Sequence, residues 1–139
     1  MLALMRAAFP DMPVHSLIPL HPTFPFLLVR RHRPIGQWSG DPRFTDTGVI
    51  EVQAFTQGIN GDEEGALISE AVRVALRDAW LSHARIPGLG SVIEIQLDDE
   101  PHRAADWATS TGPVQYADLP AQVTRYESTY RVEIRRERA

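Results

Sequence analysis

Carboxylates, histidines and arginines are the side chains through which this sequence of 139 residues could do chemistry, because it contains neither Cys nor Lys. The missing thiol excludes cysteine nucleophiles, Cys-based zinc sites and iron–sulfur clusters. The missing amine excludes Schiff-base catalysis and the lysine of phosphate-binding loops. No two of the five histidines lie four residues apart, which excludes the helical zinc-protease motif. The sequence therefore predicts no catalytic residue, no metal site and no cofactor.

A loose form of a metal-nuclease signature is the one enzyme pattern that needs weighing. Asp46 is followed by Glu51 and Gln53. Nucleases of this kind hold a divalent ion with an acid and an acid-x-Lys/Gln pair on adjacent strands. The spacing here is tighter and Gln replaces the usual Lys, while any solvated strand face would carry the same residues. A small metal-dependent nuclease is kept as an alternative from a different functional class.

Two charged clusters flank the centre of the chain. Asp98, Asp99 and Glu100, followed by His102, could bind a hard cation through oxygen atoms, although a solvated strand end is the commoner explanation of such an acidic corner. The second cluster, formed by Arg30, Arg31 and Arg33, could contact phosphates or acidic partners, or could only keep a strand end soluble. Both clusters are candidate binding surfaces.

The net charge of −4 is unevenly distributed along the chain. Residues 1–40 carry +3, residues 41–100 carry −8, and residues 101–139 carry +1. Because proteins that read duplex DNA present a basic face and a high isoelectric point, this balance argues against a sequence-specific DNA binder. The acidic middle and the arginine-bearing ends favour contacts with other proteins instead.

Large aromatic side chains in Pro- and Gly-rich segments form the third candidate surface. One small domain cannot easily bury all of them, and aromatic residues together with Arg are enriched in protein interfaces. The alternative is that each loop packs against its own core. The candidate interface residues, besides the three arginines, are Trp38, Phe44, Trp107 and Tyr116.

The elements that would position these residues follow from periodicity and from Pro and Gly. We predict a short helix over residues 1–9, a Pro-rich lead to residue 24, strands over 25–33 and 48–56, a helix from Asn60 to about Arg85, and strands over 91–97 and 123–136. A long loop would cover 101–121. Asn60 would cap the longer helix, Leu67 would lie on its buried side, and one face of the last strand would carry Tyr126, Ser128, Tyr130, Val132 and Ile134. The order α-β-β-α-β-β predicts a single α+β domain over residues 1–139, with two layers: a mainly antiparallel four-stranded sheet and helices on one face.

No segment of the sequence approaches a membrane span, because Pro or Arg interrupts the longest apolar runs. A signal peptide is not expected either, since Pro10 and Pro13 directly follow the first apolar run. We therefore expect a protein that neither enters a membrane nor is secreted.

The order and patterns of four segments resemble those of the tail terminator (tail-completion) proteins of long-tailed bacteriophages. The resemblance covers about residues 14–136 and rests on the strands Phe24–Arg30 and Thr45–Phe55, the helix Gly65–Leu76 and the late strand Arg125–Arg135. The N-terminal helix departs from the family pattern, because Pro10 ends it early.

The resemblance implies a structural virion protein and not an enzyme. Such proteins form a homohexameric ring that caps the assembled tail tube, stops its polymerisation and presents a surface to the head-side connector, while DNA passes through the lumen. It implies a place in the virion tail at the head–tail junction, after synthesis in the host cytoplasm. The implied partners are further copies of the chain, the tail tube protein and the connector or neck protein.

The acidic middle of the chain fits such a ring physically. A lumen lined by carboxylates would repel a passing duplex, whereas a basic lumen would bind it, so we hypothesise that Asp98, Asp99 and Glu100 face the lumen. A neck or head-closure ring protein is the alternative from the same functional class. A soluble monomeric domain is the simplest alternative.

Overall fold

The computed structural model describes residues 1–31, 45–104 and 122–136 of the chain. These residues form two helices and six strands, and the strands associate into one sheet with the order β1-β2-β3-β6-β5-β4. The helices are α1 (Leu2–Ala8) and α2 (Gly61–Leu81), and the strands are β1 (Val14–His15), β2 (Phe26–Arg31), β3 (Thr45–Gln57), β4 (Arg85–Ile86), β5 (Gly90–Arg103) and β6 (Val123–Arg136).

The predicted four-stranded sheet and the order α-β-β-α-β-β are wrong. The sheet has six strands because one short strand extends it at each edge. It is mixed and curves into a half-barrel. β1 pairs in parallel with β2, and β4 pairs antiparallel with β5. Each of these edge strands has only two residues, so neither carries the alternation by which a strand is recognised in a sequence.

The four long strands pair antiparallel in a register that defines rows across the sheet. All 13 residues of β3 pair with β6 without a bulge, and β2 pairs with the later part of β3. β5 pairs with β6 but contains three irregularities, two of them between Leu97 and His102. One row consists of Arg31, Ile50, Tyr130 and Leu97, and the next row of Arg30, Glu51, Thr129 and Asp99.

Helix α2 covers one face of the sheet and lies over β3, β6 and β5. The main core forms there from inward-facing residues of all these elements, among them Val72 and Leu76 of the helix and Val52, Tyr130 and Val132 of the sheet. Met5 of α1 is fully buried in the same cluster. The apolar face of β6 agrees with the alternation of Tyr126, Ser128, Tyr130, Val132 and Ile134 that the sequence predicts.

The opposite face of the sheet is apolar at one end and polar elsewhere. Phe26, Leu28 and Phe55 form a second buried cluster, in which the rings of Phe26 and Phe55 stack with their centroids 4.7 Å apart. Beyond this cluster the face carries Glu51 and Gln53 from β3 and the charged positions of β6. We call this second region the polar face.

Helix α2 differs from its prediction at its ends and on its buried side. It ends at Leu81 instead of about Arg85, and no side-chain hydrogen bond caps it at Asn60. Leu67, expected in the core, has 66% of its surface exposed. The helix approaches the sheet through small residues instead: a Cβ atom on Gly65 would lie 2.6 Å from Cδ2 of Tyr126. Small residues therefore face the sheet in the first turns of α2, and the apolar Val72 and Leu76 face it further along the helix.

Strand β5 is longer than predicted. The sequence places an acidic corner after Leu97 and a loop from residue 101, but β5 continues through the three acids to Arg103. The bulges in this part of the strand explain the difference, because they accommodate extra residues without ending the pairing with β6. The residues 105–121 of the predicted loop lie outside the described residues.

Candidate functional site

The structure describes two of the seven predicted interface residues, Arg30 and Arg31, and all three of the acids that were expected to face the lumen. Arg30 and Arg31 form the end of β2, and the three acids lie in the second half of β5, so the two clusters belong to strands on different sides of the sheet. The remaining candidates lie outside the described residues, and they are Arg33, Trp38, Phe44, Trp107 and Tyr116.

The two described arginines have different surroundings. Arg30 lies on the polar face, where its guanidinium is 3.9 Å from Glu51, and the side-chain amide of Gln53 donates a hydrogen bond to the same carboxylate. Glu51 therefore serves as an anchor for Arg30. Arg31 points to the other face and is exposed. Of the two, Arg31 is the side chain that a partner can reach most easily.

The three acids are exposed and are held through neighbours on β6. The Thr129 hydroxyl lies 3.4 Å from Oδ2 of Asp98 and donates a hydrogen bond to it. His102 contacts the other two acids: its Nδ1 lies 2.8 Å from the Glu100 carbonyl oxygen and 3.7 Å from Asp99 Oδ2. This cluster fixes the conformation of the bulged part of β5.

His102 also reaches across to β6, where its Nε2 lies 3.3 Å from Oε1 of Glu127. The Glu100 carbonyl, which accepts from Nδ1, raises the pKa of His102, and the Asp99 and Glu127 carboxylates raise it further, while partial burial of the ring opposes them. The protonated imidazole therefore stabilises the pairing of β5 with β6 at this point.

Both long edges of the sheet are only partly covered by the short strands. β4 pairs with Gly90 and Ser91 alone, so within the described residues no strand lies beside the outer edge of β5 from Ile93 onward. At the other side β1 pairs with Leu27 and Leu28 alone. No strand of the described ranges lies beside β2 after Leu28. We call these two stretches, 93–101 of β5 and 29–31 of β2, the acidic edge and the basic edge.

A groove of about 420 Å³ follows the acidic edge on the side of α2. Its walls are Leu97, Glu100 and Pro101 from β5 and Ala66, Glu70 and Arg73 from the helix, with Tyr126 beneath. Glu70 and Arg73 form an ion pair one helical turn apart, and this pair lowers the pKa of Glu70. Leu97 is 41% exposed in this groove. A polypeptide segment that paired with β5 would cover it.

A second, more apolar cavity of about 500 Å³ lies at the start of α1. Its lining includes Leu2 of α1, Ile50 of β3, Ile86 of β4, and Leu89 from the turn between β4 and β5. Asp46 and Arg31 also line it. The cavity therefore borders the basic edge, as the groove borders the acidic one.

The carboxylates of the nuclease alternative do not share a site. Asp46 and Glu51 are separated by an odd number of positions in a strand without bulges, so they lie on opposite faces of the sheet. Asp46 is 4.0 Å from Arg136, whereas Glu51 pairs with Arg30. Among the described residues there is no group of three or more metal-binding side chains. This geometry does not allow the two carboxylates to hold one ion.

One polar cluster was not predicted from the sequence. The Tyr126 hydroxyl donates a hydrogen bond of 2.7 Å to Asp62 Oδ1, and an Arg103 nitrogen lies 3.6 Å from the same oxygen. The hydrogen bond to Asp62 raises the pKa of Tyr126. The cluster ties the first turn of α2 to both β5 and β6. The signal for this cluster in the sequence is the alternation of β6, which places Tyr126 on the helix-covered face.

Comparison with known proteins adds no identification. No protein-family model matches the chain, and no curated protein shows a significant match to it. Neither helix in the described part of the chain combines the length and apolar character that crossing a bilayer needs. The function has to be argued from the residues and surfaces described above.

Proposed function

We propose that this chain is a structural ring subunit that caps the tail tube of a long-tailed bacteriophage, ends tube polymerisation and joins the tail to the head-side connector. The observation that carries the proposal is the pair of sheet edges: one is acidic, the other is basic, and both are incompletely covered within the described residues. A subunit with two different, complementary surfaces associates head to tail, and such contacts generate closed rings when the rotation between copies closes.

The segments on which the resemblance to tail terminator proteins rests support the proposal. The two early strands are β2 and β3, the helix is the middle of α2, and the late strand is β6. The six-stranded sheet adds edge strands around this arrangement without interrupting it. In the proposed ring, the tail tube protein and the connector protein are the partners on the two sides.

The charge of the chain is consistent with passage of DNA through the ring. A net charge of −4 per copy gives the assembled ring a negative field, which keeps a duplex from binding to it. DNA would pass without sequence recognition.

Deletion of the gene from the phage genome that encodes the chain tests the proposal. Without a terminator, tube polymerisation continues, so we expect tails several-fold longer than normal in negative-stain electron micrographs, and normal lengths after expression of the wild-type chain from a plasmid. Tails of normal length that fail to join heads would identify a neck or head-closure protein. Tails of normal length that join heads would contradict the proposal.

A further inference from the structure

We infer that copies of this chain join edge to edge, with the acidic edge of one copy pairing as an antiparallel strand with the basic edge of the next. This inference rests on the proposed ring function and names the surfaces that would form the ring. Four features of the sheet carry it: strand direction, row alignment, charge, and the positions of the short edge strands.

Strand direction allows the pairing. β2 is antiparallel to β3, β3 to β6, and β6 to β5, so β2 and β5 run in opposite directions within one sheet. A second copy related by rotation about an axis along the strands keeps these directions. Its β2 therefore meets β5 of the first copy antiparallel, which is the more stable of the two pairing modes.

Row alignment brings the charged residues together. Arg30 and Asp99 belong to one row of the sheet, and Arg31 shares the next row with Leu97. When a neighbouring copy continues these rows without a shift along the strands, Arg30 of one copy lies beside Asp99 of the other, and Arg31 lies beside Leu97. No displacement along the strands is needed to place opposite charges at the seam.

The charges at the two edges are complementary and reachable. Asp98, Asp99 and Glu100 are exposed at one edge, and Arg31 is exposed at the other. Opposite charges at an interface fix its register and disfavour wrong pairings, such as two acidic edges together. The bulges beside Leu97 and Asp99 have the same effect, because a bulged edge twists away from unselective strand pairing.

The short strands leave matching stretches open. β1 covers Leu27 and Leu28, which lie in the rows of Arg103 and His102. β4 covers Gly90 and Ser91, at the far end of β5. The middle rows, from Arg31 to Val29 on one side and from Leu97 to Pro101 on the other, remain for the neighbouring copy. β1 of that copy would then reach the rows of His102 and Arg103.

The pairing changes the expected position of two acids. Asp98 and Asp99 lie at the seam between copies, beside Arg30 of the neighbouring copy, instead of facing the lumen. The groove between α2 and β5 would be covered by the neighbour, which buries the exposed Leu97.

Cysteine cross-linking tests this interface directly, because the wild-type chain has no Cys. The test protein is the full chain with Arg31→Cys and Leu97→Cys, oxidised with diamide at high protein concentration and separated on a non-reducing gel. Within one copy these positions are three strand spacings apart, about 14 Å, which is too far for a disulfide. We expect a ladder of covalent multimers that ends at the size of the closed ring.

Two controls define the expected result. Mixing the two single variants should give dimers only, because each copy then carries one thiol. Pairing Leu97→Cys with Val74→Cys, which is exposed on the side of α2 opposite its buried residues, should leave the protein monomeric with a trace of dimer. If Leu97→Cys does not fold by circular dichroism, the pair Arg30→Cys and Asp99→Cys, which shares the next row, replaces the test pair.

The outcomes separate this inference from the proposed function. Absence of the ladder, or equal ladders from the test pair and the Val74 control pair, overturns the edge pairing even if gene deletion lengthens tails. A ladder with tails of unchanged length in the deletion strain leaves the edge pairing intact and removes the tail function.

Discussion

Two tyrosines on the same face of β6 have opposite hydrogen-bonding states. Tyr126 donates to Asp62, whereas the Tyr130 hydroxyl is buried and has no hydrogen-bond partner in the described structure. Burial raises the pKa of Tyr130. A buried hydroxyl without a partner loses its hydration without compensation, so it opposes folding.

Removing each hydroxyl should therefore have opposite effects on stability. We expect Tyr130→Phe to leave the free energy of unfolding unchanged or raise it by about 1 kcal/mol, because the unsatisfied group disappears. Tyr126→Phe should lower it by up to about 1 kcal/mol through loss of the hydrogen bond to Asp62. Urea denaturation followed by fluorescence measures both. A loss of stability in Tyr130→Phe as large as that in Tyr126→Phe would show that the Tyr130 hydroxyl has a partner.

His102 gives the pairing of β5 with β6 a dependence on pH. Its pKa is raised in the folded protein, first by the Glu100 carbonyl and then by Asp99 and Glu127. Its stabilising contribution is therefore fully present below the ordinary histidine pKa of about 6.5 and is lost as pH rises through the higher folded-state pKa. The side chain is partly exposed, so solvent screening limits the effect.

We expect His102→Gln to lower the free energy of unfolding by about 0.5 kcal/mol at pH 5.5 and by almost nothing at pH 9. His21→Gln is the matched control, because the same substitution at that exposed histidine breaks no ion pair among the described residues. Urea titrations at the two pH values measure the effect. Equal losses at both pH values for His102→Gln would contradict the ion pairs.

At the scale of elements, the start of β5 requires glycine at residue 90. Gly90 has φ +146°, and a Cβ atom there would lie 1.8 Å from the backbone carbonyl oxygen of Arg135. The neighbouring strand β6 therefore approaches too closely for any side chain. Gly48, in the middle of β3, has no atom within 4 Å of the same built position.

Alanine substitutions at Gly90 and Gly48 should separate two effects on stability: the close approach of β6 at Gly90 and the low strand propensity of glycine at Gly48. Gly90→Ala should lower the free energy of unfolding by more than about 2 kcal/mol, because both the backbone conformation and the packing of β6 must change. Gly48→Ala should be neutral or stabilising by about 0.5 kcal/mol. Thermal and urea denaturation give both values. Similar stabilities for the two variants would mean that β5 and β6 separate at Gly90 without cost.

The long helices and strands could be predicted from the sequence, whereas the short edge strands and the bulged part of β5 could not. Pro10 ends α1, and the alternation of β6 places Tyr130 and Val132 inward, as local physics requires. The two-residue strands have no period, and the bulges of β5 depend on its contacts with β6. For the same reason, the sequence indicated the acidic and basic clusters but not that they occupy the same rows of the sheet.

At the scale of the whole molecule, charge should control self-association. Arg31→Glu or Glu100→Arg places like charges on the α2 side of the proposed seam, so each should weaken association about tenfold at low salt, and the double variant should recover most of it. Asp78→Arg, at an exposed position of α2 outside the groove, is the control and should change nothing. Sedimentation velocity at several protein concentrations measures this. Single variants that associate like wild type would place the interface elsewhere.

Electron cryomicroscopy of tail tubes mixed with the purified chain tests the central claim most directly. The claim predicts a closed ring of density, made of copies of this chain, at one end of each tube and nowhere along its length. A chain that stays monomeric beside the tubes, or that decorates their sides, would contradict it.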